Sequence, residues 1–257
     1  MRSLRLAVIL FVAATAVSIA GAARAEIKTQ WIDYSQGGTP LRGYLAYDDA
    51  VKGPRPGVLL LHRRDGMTAL TLKNAEMVAR LGYVVFAPDI FGVLPKTEEE
   101  SKAQSTKFNK DRPLMRARAQ AGFDILRNHP MVDPAKIAVL GYCFGGTTAV
   151  ELAETGAPIV GTVTIHGSFR DFQHDAAKNI HGRMLILHGA EDPVAPLTEV
   201  DLLVKELRAA KVGWELQLFS GTQHGFSTPK NAAEERANTE SQAAAARFFK
   251  EVFGIPV

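Results

Sequence analysis

The sequence predicts a single α/β domain in which a mostly parallel sheet carries helices on both faces. Short apolar runs with the length of buried strands alternate along the chain with longer segments of helical periodicity. This alternation is typical of a parallel sheet whose strands are joined by crossover helices. The 257 residues are 46% hydrophobic and 22% charged, an ordinary globular composition that suffices for one sizeable domain.

The first 25 residues differ in character from the rest. Met1–Arg5 is positively charged, Leu6–Ala20 is apolar and uncharged, and Ala23–Ala25 matches an A-x-A cleavage site. We expect a secretory signal peptide at residues 1–25, cut after Ala25, and a mature domain at 26–257 exported to the periplasm or beyond. The alternative is an uncleaved anchor, but the apolar run is short for a membrane span. No membrane association is therefore expected after cleavage.

The apparent basic character of the chain comes mostly from this leader. Its three arginines are among 30 Lys and Arg residues, so that removing them leaves 27, against 27 Asp and Glu. A formally neutral mature chain gives no argument for a nucleic-acid partner. The sequence carries no signal for an oligomeric state.

Eight segments are predicted to be strands. The first two alternate apolar and polar residues around Gly37–Pro40, which indicates a hairpin, and the later ones are short apolar runs typical of buried strands. The predicted strands are Ile27–Tyr34, Leu41–Tyr47, Gly57–Leu61, Tyr83–Ala87, Lys136–Leu140, Ile159–Ile165, Met184–Leu187 and Trp214–Phe219.

Six segments between and after these strands are predicted to be helices. Asp111–Asn128 is expected to bury the side that carries Leu114, Ala117, Ala121 and Ile125. The polar segment Glu98–Phe108 is interpreted as a candidate cap element. The predicted helices are Leu70–Leu81, Glu98–Phe108, Asp111–Asn128, Gly146–Ala153, Leu197–Ala210 and Ala232–Val252.

Cys143, the only cysteine, lies in Gly141–Gly146 between a predicted strand and a predicted helix. A nucleophile flanked by glycines at this junction is the G-x-[SC]-x-G elbow, whose sharp turn leaves no room for neighbouring side chains. The helix N-terminus supplies positive potential that favours the thiolate. A small buried hydrophobe is the alternative. A lone thiol in an exported protein cannot form an internal disulfide, which further favours a reactive role.

A thiol nucleophile needs a base, and the base needs an orienting acid. Asp192 follows the strand Met184–Leu187, and His224 follows the strand Trp214–Phe219. Both therefore fall at carboxyl ends of strands, where sites in parallel sheets lie. Glu191 is the alternative acid.

The other histidines are given lesser roles. His166 and His188 also follow strands and are interpreted as supporting or loop residues. The remaining three are expected on the solvated surface: His129, His174 and His181.

An oxyanion hole needs two backbone N–H donors. Phe144, directly after the nucleophile, and Arg64, in the loop after Gly57–Leu61, are the candidates. The substrate-pocket candidates are His62, Arg63, Asp89 and Tyr142. We find no nucleotide-binding glycine motif and no H-x-x-x-H or multiple-cysteine pattern, so neither a cofactor nor a metal is expected.

Three motifs together carry a resemblance to a known family: Gly-Tyr-Cys-Phe-Gly-Gly at 141–146, Leu-His-Gly-Ala-Glu-Asp-Pro at 187–193 and His-Gly-Phe at 224–226. With Ala-Pro-Asp-Ile-Phe-Gly at 87–92 and Arg-Ala-Arg at 116–118, they resemble the dienelactone hydrolase family of the α/β-hydrolase superfamily. The similarity extends over nearly all of the mature chain. It implies an α/β-hydrolase domain in which Cys143 is the nucleophile, Asp192 the orienting acid and His224 the base.

The chain departs from that family at three positions. The resemblance implies a glutamate that holds the resting thiol where Arg63 stands, and two arginines that hold a substrate carboxylate where Val93 and Thr228 stand. Arg63, Arg64 or Arg112 could replace the missing positive charge. The expected substrate is thus a small ester or lactone other than dienelactone itself.

These observations predict a carboxylic-ester or lactone hydrolase with a Cys143–His224–Asp192 triad. The alternative is a non-catalytic or redox-sensing thiol protein on a hydrolase scaffold, because Arg63 beside a thiolate could stabilise it for oxidation. Glycosidic hydrolysis by facing carboxylates among Asp65, Asp89 and Asp192 is a third possibility, but it would leave the elbow thiol without a role.

Overall fold

A computed structural model describes residues 26–170 and 176–256. The predicted signal peptide, its boundary at Ala25, and His174 lie outside these ranges. The strands are β1 (Ile27–Gln36), β2 (Thr39–Asp48), β3 (Arg55–Leu61), β4 (Val84–Ala87), β5 (Val132–Tyr142), β6 (Gly161–Ile165), β7 (Arg183–Gly189) and β8 (Trp214–Phe219).

All eight strands form one sheet in the order β1-β2-β4-β3-β5-β6-β7-β8. β1 and β2 form the expected hairpin, and β2 also pairs antiparallel with β4. The remaining neighbours are parallel. The carboxyl ends of β3 to β8 therefore meet at one edge of the sheet, where the loops that carry chemistry are expected.

Helices cover both faces of the sheet. One face packs against α1 and α6, and the other packs against α3, α4 and α5, so that apolar side chains of each central strand alternate between the two layers. The predicted fold class is thereby confirmed. The helices are α1 (Ala69–Ala79), α2 (Glu98–Lys110), α3 (Arg112–Arg127), α4 (Phe144–Ala153), α5 (Leu197–Ala209) and α6 (Ala232–Phe253).

No helix within the described ranges is long and apolar enough to cross a lipid bilayer.

A short 3₁₀ turn at Ala176–Asn179 was not predicted. β5 begins at Val132, four residues before the predicted start, because Val132 pairs with Arg55 ahead of a register shift in β3. Pro134 in that segment obscures the strand in the sequence.

The buried face of α3 is not the predicted one. Leu114, Ala117, Ala121 and Ile125 are only partly buried, whereas the buried stripe runs along the adjacent side of the helix. The reason is Arg118, a buried cation near the charge of Asp89, which interrupts the apolar pattern of the true core face. That face comprises Met115, Arg118, Ala119, Gly122, Phe123 and Leu126.

A buried carboxylate ties α3 to α4, the helix that follows the elbow. Glu151 is 1% exposed and accepts a hydrogen bond from Nε of Arg116 at 2.7 Å. Nη1 of Arg112 lies 3.4 Å from the other oxygen of Glu151. Arg112, one of the three candidates for the missing positive charge, is thus bound to α4 through Glu151.

We predict that Glu151→Ala lowers the free energy of unfolding by about 3 kcal/mol, because it leaves two largely buried guanidinium groups without their shared carboxylate. Urea denaturation followed by circular dichroism measures this loss. Asp201→Asn is the control, since the Asp201–Lys205 pair is exposed and its removal costs about 0.5 kcal/mol or less. Equal losses in the two variants would contradict this account of the α3–α4 contact.

Candidate active site

Cys143 occupies a strained turn between β5 and α4. Its φ of 54° and ψ of −119° lie in a region that residues with a side chain rarely adopt, at a cost of about 1–3 kcal/mol. Its N–H donates to the carbonyl of Ile165 at 3.0 Å. Glycines make the turn possible: a Cβ on Gly145 would lie 2.1 Å from the carbonyl oxygen of Leu61, and one on Gly141 would lie 2.0 Å from that of Gly145.

The structure brings the three residues of the predicted triad together at the carboxyl edge of the sheet. Sγ of Cys143 lies 3.0 Å from Nε2 of His224, and Nδ1 of His224 lies 2.8 Å from Oδ2 of Asp192. The second oxygen of Asp192 accepts hydrogen bonds from the N–H groups of Val194 and Ala195 at 2.8 and 2.9 Å. The carboxylate is therefore fixed, and it fixes the ring of His224 in turn.

These contacts favour the charged forms of all three groups. Burial alone would raise the pKa of the Cys143 thiol, but the hydrogen bond and charge of His224, the cation of Arg63 and the N–H of Phe144 lower it. Burial lowers the pKa of His224, yet its hydrogen bonds to Asp192 and Cys143 raise it to about 9. Burial likewise opposes ionisation of Asp192, whose pKa is nevertheless lowered, chiefly by His224. The contacts thus shift the balance towards a thiolate–imidazolium pair.

The two candidate oxyanion donors, Phe144 and Arg64, have different surroundings. The N–H of Phe144 lies at the start of α4 and already stabilises the sulfur. The side chain of Arg64 is exposed and pairs with Glu98. The role of the Arg64 backbone N–H stays a prediction.

Arg63 and Thr228, two of the three departures from the family pattern, contact each other. Nη1 of Arg63 donates to Oγ1 of Thr228 at 2.6 Å. This bond joins the loop after β3 to the loop that carries His224, and it holds a guanidinium close enough to Cys143 to favour its thiolate. Val93, the third departure, is 47% exposed in the loop after β4.

Two further pocket candidates shape the loops around the site. The ring of His62 is buried; its Nε2 accepts the N–H of Ile90 at 3.1 Å, so Nδ1 carries the proton that is donated to the carbonyl of Arg63 at 2.6 Å. Asp89 accepts the N–H groups of Phe91 and Gly92, both at 2.9 Å. Both side chains are thus already engaged in holding the loops after β3 and β4.

Tyr142, the last pocket candidate, packs in the core on the α1–α6 side of the sheet. It lines an apolar cavity there together with residues of both helices, among them Met77, Leu81 and Phe249. The phenol ring therefore lies in the hydrophobic layer beneath the elbow.

The remaining candidates at the sheet edge have separate partners. Glu191, the alternative acid, accepts the N–H of Thr222 at 3.0 Å and is not bonded to His224. His188 is buried and contacts the carbonyl of Ala195 at 2.8 Å, within the turn that holds Asp192.

Two of the histidines predicted to be solvated lie elsewhere in the described structure. His181 is exposed as predicted, whereas His129 is half-buried.

His166, which the sequence predicts to be a supporting or loop residue, has a ring nitrogen within 4.8 Å of the sulfur of Cys143. It follows β6, is fully buried, and its ring centre lies 5.0 Å from that of His224. Its Nε2 contacts Oγ of Ser227 at 2.8 Å. The sequence signal that points to this location is the position of His166 directly after β6, the strand that pairs with β5.

Comparison with known proteins identifies the family of the chain. The model of the dienelactone hydrolase family matches residues 41–253. The chain belongs to this family. A dienelactone hydrolase-like promiscuous phosphotriesterase from metagenomic libraries is 31% identical, with a TM-score of 0.84 over 90% of this chain and 100% of that one.

Curated relatives are more distant. Protein usf of Aquifex pyrophilus is 25% identical over 78% of this chain and 88% of its own length. The human carboxymethylenebutenolidase homolog is 26% identical over 59% of this chain and 62% of its own length. The family is therefore a hydrolase family, and the triad geometry at the elbow is what bears on this chain's own chemistry.

We predict that alkylation of Cys143 by iodoacetamide is much less pH-dependent than alkylation of free cysteine. Between pH 9 and pH 6.5 the thiolate fraction of an ordinary thiol with a pKa of about 8.5 falls about 80-fold. The lowered pKa of Cys143 delays this fall to more acidic pH, and the imidazolium that pairs with the thiolate persists to about pH 9. Intact-mass kinetics measure the rates. His224→Gln is expected to restore a steeper profile, and a wild-type profile identical to that of free cysteine would contradict the ion pair.

Proposed function

We propose that the chain hydrolyses carboxylic esters or lactones, with Cys143 as nucleophile, His224 as base and acid, and Asp192 as the group that orients His224. The observation that carries the proposal is the continuous hydrogen-bonded chain from Sγ through the imidazole to the carboxylate, built on a strained elbow. Nucleophile, base and orienter within hydrogen-bond reach are the signature of covalent acyl transfer.

In the proposed mechanism the thiolate of Cys143 attacks the acyl carbon. The negative charge that develops on the carbonyl oxygen is stabilised by the N–H of Phe144 and a second donor from the Arg64 backbone; one such donor is worth about 3 kcal/mol of barrier. His224 then gives its proton to the leaving alkoxide. It next removes a proton from the water that cleaves the thioester, and Asp192 keeps its Nδ1 protonated throughout.

The proposed substrate class is a small neutral ester or lactone. Two observations support this class: Val93 and Thr228 offer no cation, and the guanidinium of Arg63, bonded to Thr228, lies beside the thiol and favours its thiolate. A phosphotriester belongs in the same substrate panel, because the structural relative at 31% identity is a promiscuous phosphotriesterase.

We predict that Cys143→Ala reduces hydrolysis of short acyl esters by at least about 1,000-fold, since the covalent step is lost. Turnover of p-nitrophenyl acetate measures the rate, and circular dichroism controls for folding. Wild-type protein quenched during turnover should also show an acyl adduct by intact mass, absent in the variant. An unchanged rate in Cys143→Ala would refute the nucleophile.

The same experiment addresses the second candidate function, a redox-sensing thiol protein, which Arg63 beside the thiolate favours. Under that function the wild-type protein would be sulfenylated by peroxide and would turn over no ester, lactone or phosphotriester in the panel. An adduct that forms and decays with turnover supports the hydrolase instead.

We further propose that residues 1–25 direct export and that the mature chain begins at Glu26. Expression of the full chain in a Gram-negative host, followed by N-terminal sequencing of the periplasmic product, should give Glu26 as the first residue. Ala25→Leu should block cleavage because the position before the cut requires a small residue. A product that retains Met1 in the wild type would contradict this proposal.

A further inference from the structure

Three metal-binding side chains meet at the elbow. Cys143, His166 and His224 each offer one ligand atom, and these atoms all lie within 4.8 Å of one another. They come from three separate loops, after β5, β6 and β8, so the sequence shows no ligand spacing at all. Hydrolysis as proposed uses only two of the three and leaves His166 without a chemical role.

Both imidazoles are held as metal ligands usually are. Metal-binding histidines commonly hydrogen-bond through the ring nitrogen that is not bound to the metal, often to a carboxylate. Nδ1 of His224 is bonded to Asp192 at 2.8 Å, which leaves Nε2 directed at the sulfur. Nε2 of His166 is bonded to Ser227, while its buried Nδ1 has no hydrogen-bond partner among the residues that the structure describes.

The separations suit a small tetrahedral ion. Zinc binds thiolate sulfur at about 2.3 Å and imidazole nitrogen at about 2.0–2.1 Å, so adjacent donors in a tetrahedral site lie about 3.3–3.6 Å apart. The sulfur and Nε2 of His224, now 3.0 Å apart, would separate by about 0.5 Å. His166 would approach by about 1.5 Å at most, a movement within the range of side-chain rotations.

The charges at the site are mixed. The sulfur of Cys143 and the carboxylate of Asp192 attract a cation, and His166 is fully buried beside them. The guanidinium of Arg63 opposes a cation, which limits the affinity and keeps occupancy reversible. Such a balance fits an inhibitory ion rather than a permanent structural one.

We propose that Zn²⁺ binds reversibly to Cys143, His166 and His224, with water as the fourth ligand. Binding releases the proton shared by the thiol and imidazole to solvent and forms the S–Zn bond without any change of oxidation state. The occupied site has no free nucleophile and no free base, so the metal inhibits hydrolysis and shields the sulfur from oxidants. Zinc binding does not depend on the proposed function and can be measured without any substrate. Only the inhibition of hydrolysis rests on that function.

The test uses Co²⁺ as a spectroscopic substitute on the full mature protein under anaerobic conditions. We expect a sulfur-to-cobalt charge-transfer band and intense visible bands typical of tetrahedral coordination, both removed by added Zn²⁺. His166→Asn should weaken Co²⁺ binding by at least about 10-fold. His181→Asn, at an exposed histidine, is the matched control and should leave the affinity unchanged.

A second measurement guards against misfolding of the His166→Asn variant. X-ray absorption of the Zn²⁺-loaded wild type should give one sulfur and two imidazole ligands. A single imidazole, the absence of the charge-transfer band, or an unchanged affinity in a folded His166→Asn variant would each overturn the assignment. A protein that hydrolyses no ester yet gives the expected spectrum would refute the proposed function and leave the metal site standing.

Discussion

The site depends on the strained backbone of Cys143. A residue with a side chain is held at a φ of 54° only because the surrounding backbone leaves no alternative. The N–H of Cys143 is bound to β6, and Gly145 lies against the end of β3 with no room for a Cβ. Two neighbouring strands and one helix start therefore fix the sulfur at the sheet edge, and α4 directs its N-terminal N–H groups towards it.

Packing of α4 against its neighbours holds this turn in place. α4 is buried along its whole length and is joined to α3 by the carboxylate of Glu151. Above it, Phe144 packs against Phe91 and Phe108, which fixes the start of α4 against the loop after β4 and against α2. The strain at the elbow is thus offset by packing on both sides, and the loops after β7 and β8 bring Asp192 and His224 to the sulfur that this packing positions.

Much of this arrangement could be predicted from the sequence because strand ends and glycines have local signatures. Cys143, Asp192 and His224 were identifiable since each follows an apolar run at the edge where a parallel sheet places its sites. Contacts between distant loops have no such signature. The bond between Arg63 and Thr228 joins positions 165 residues apart, and the position of His166 depends on its own left-handed backbone at a φ of 42°. The buried face of α3 was mispredicted because a buried charge, Arg118, interrupts its apolar stripe.

The pairing of Arg63 with Thr228 suggests how two departures from the family pattern act together. The resemblance that the motifs carry implies a carboxylate that holds the resting thiol; a guanidinium at that position instead favours the thiolate. Thr228 anchors that guanidinium with a neutral hydroxyl that does not neutralise its charge, where an arginine would repel it. Both changes shift the balance at Cys143 towards the thiolate. Under the proposed function, no substrate carboxylate would be needed to favour the thiolate, which agrees with the absence of cations at Val93 and Thr228.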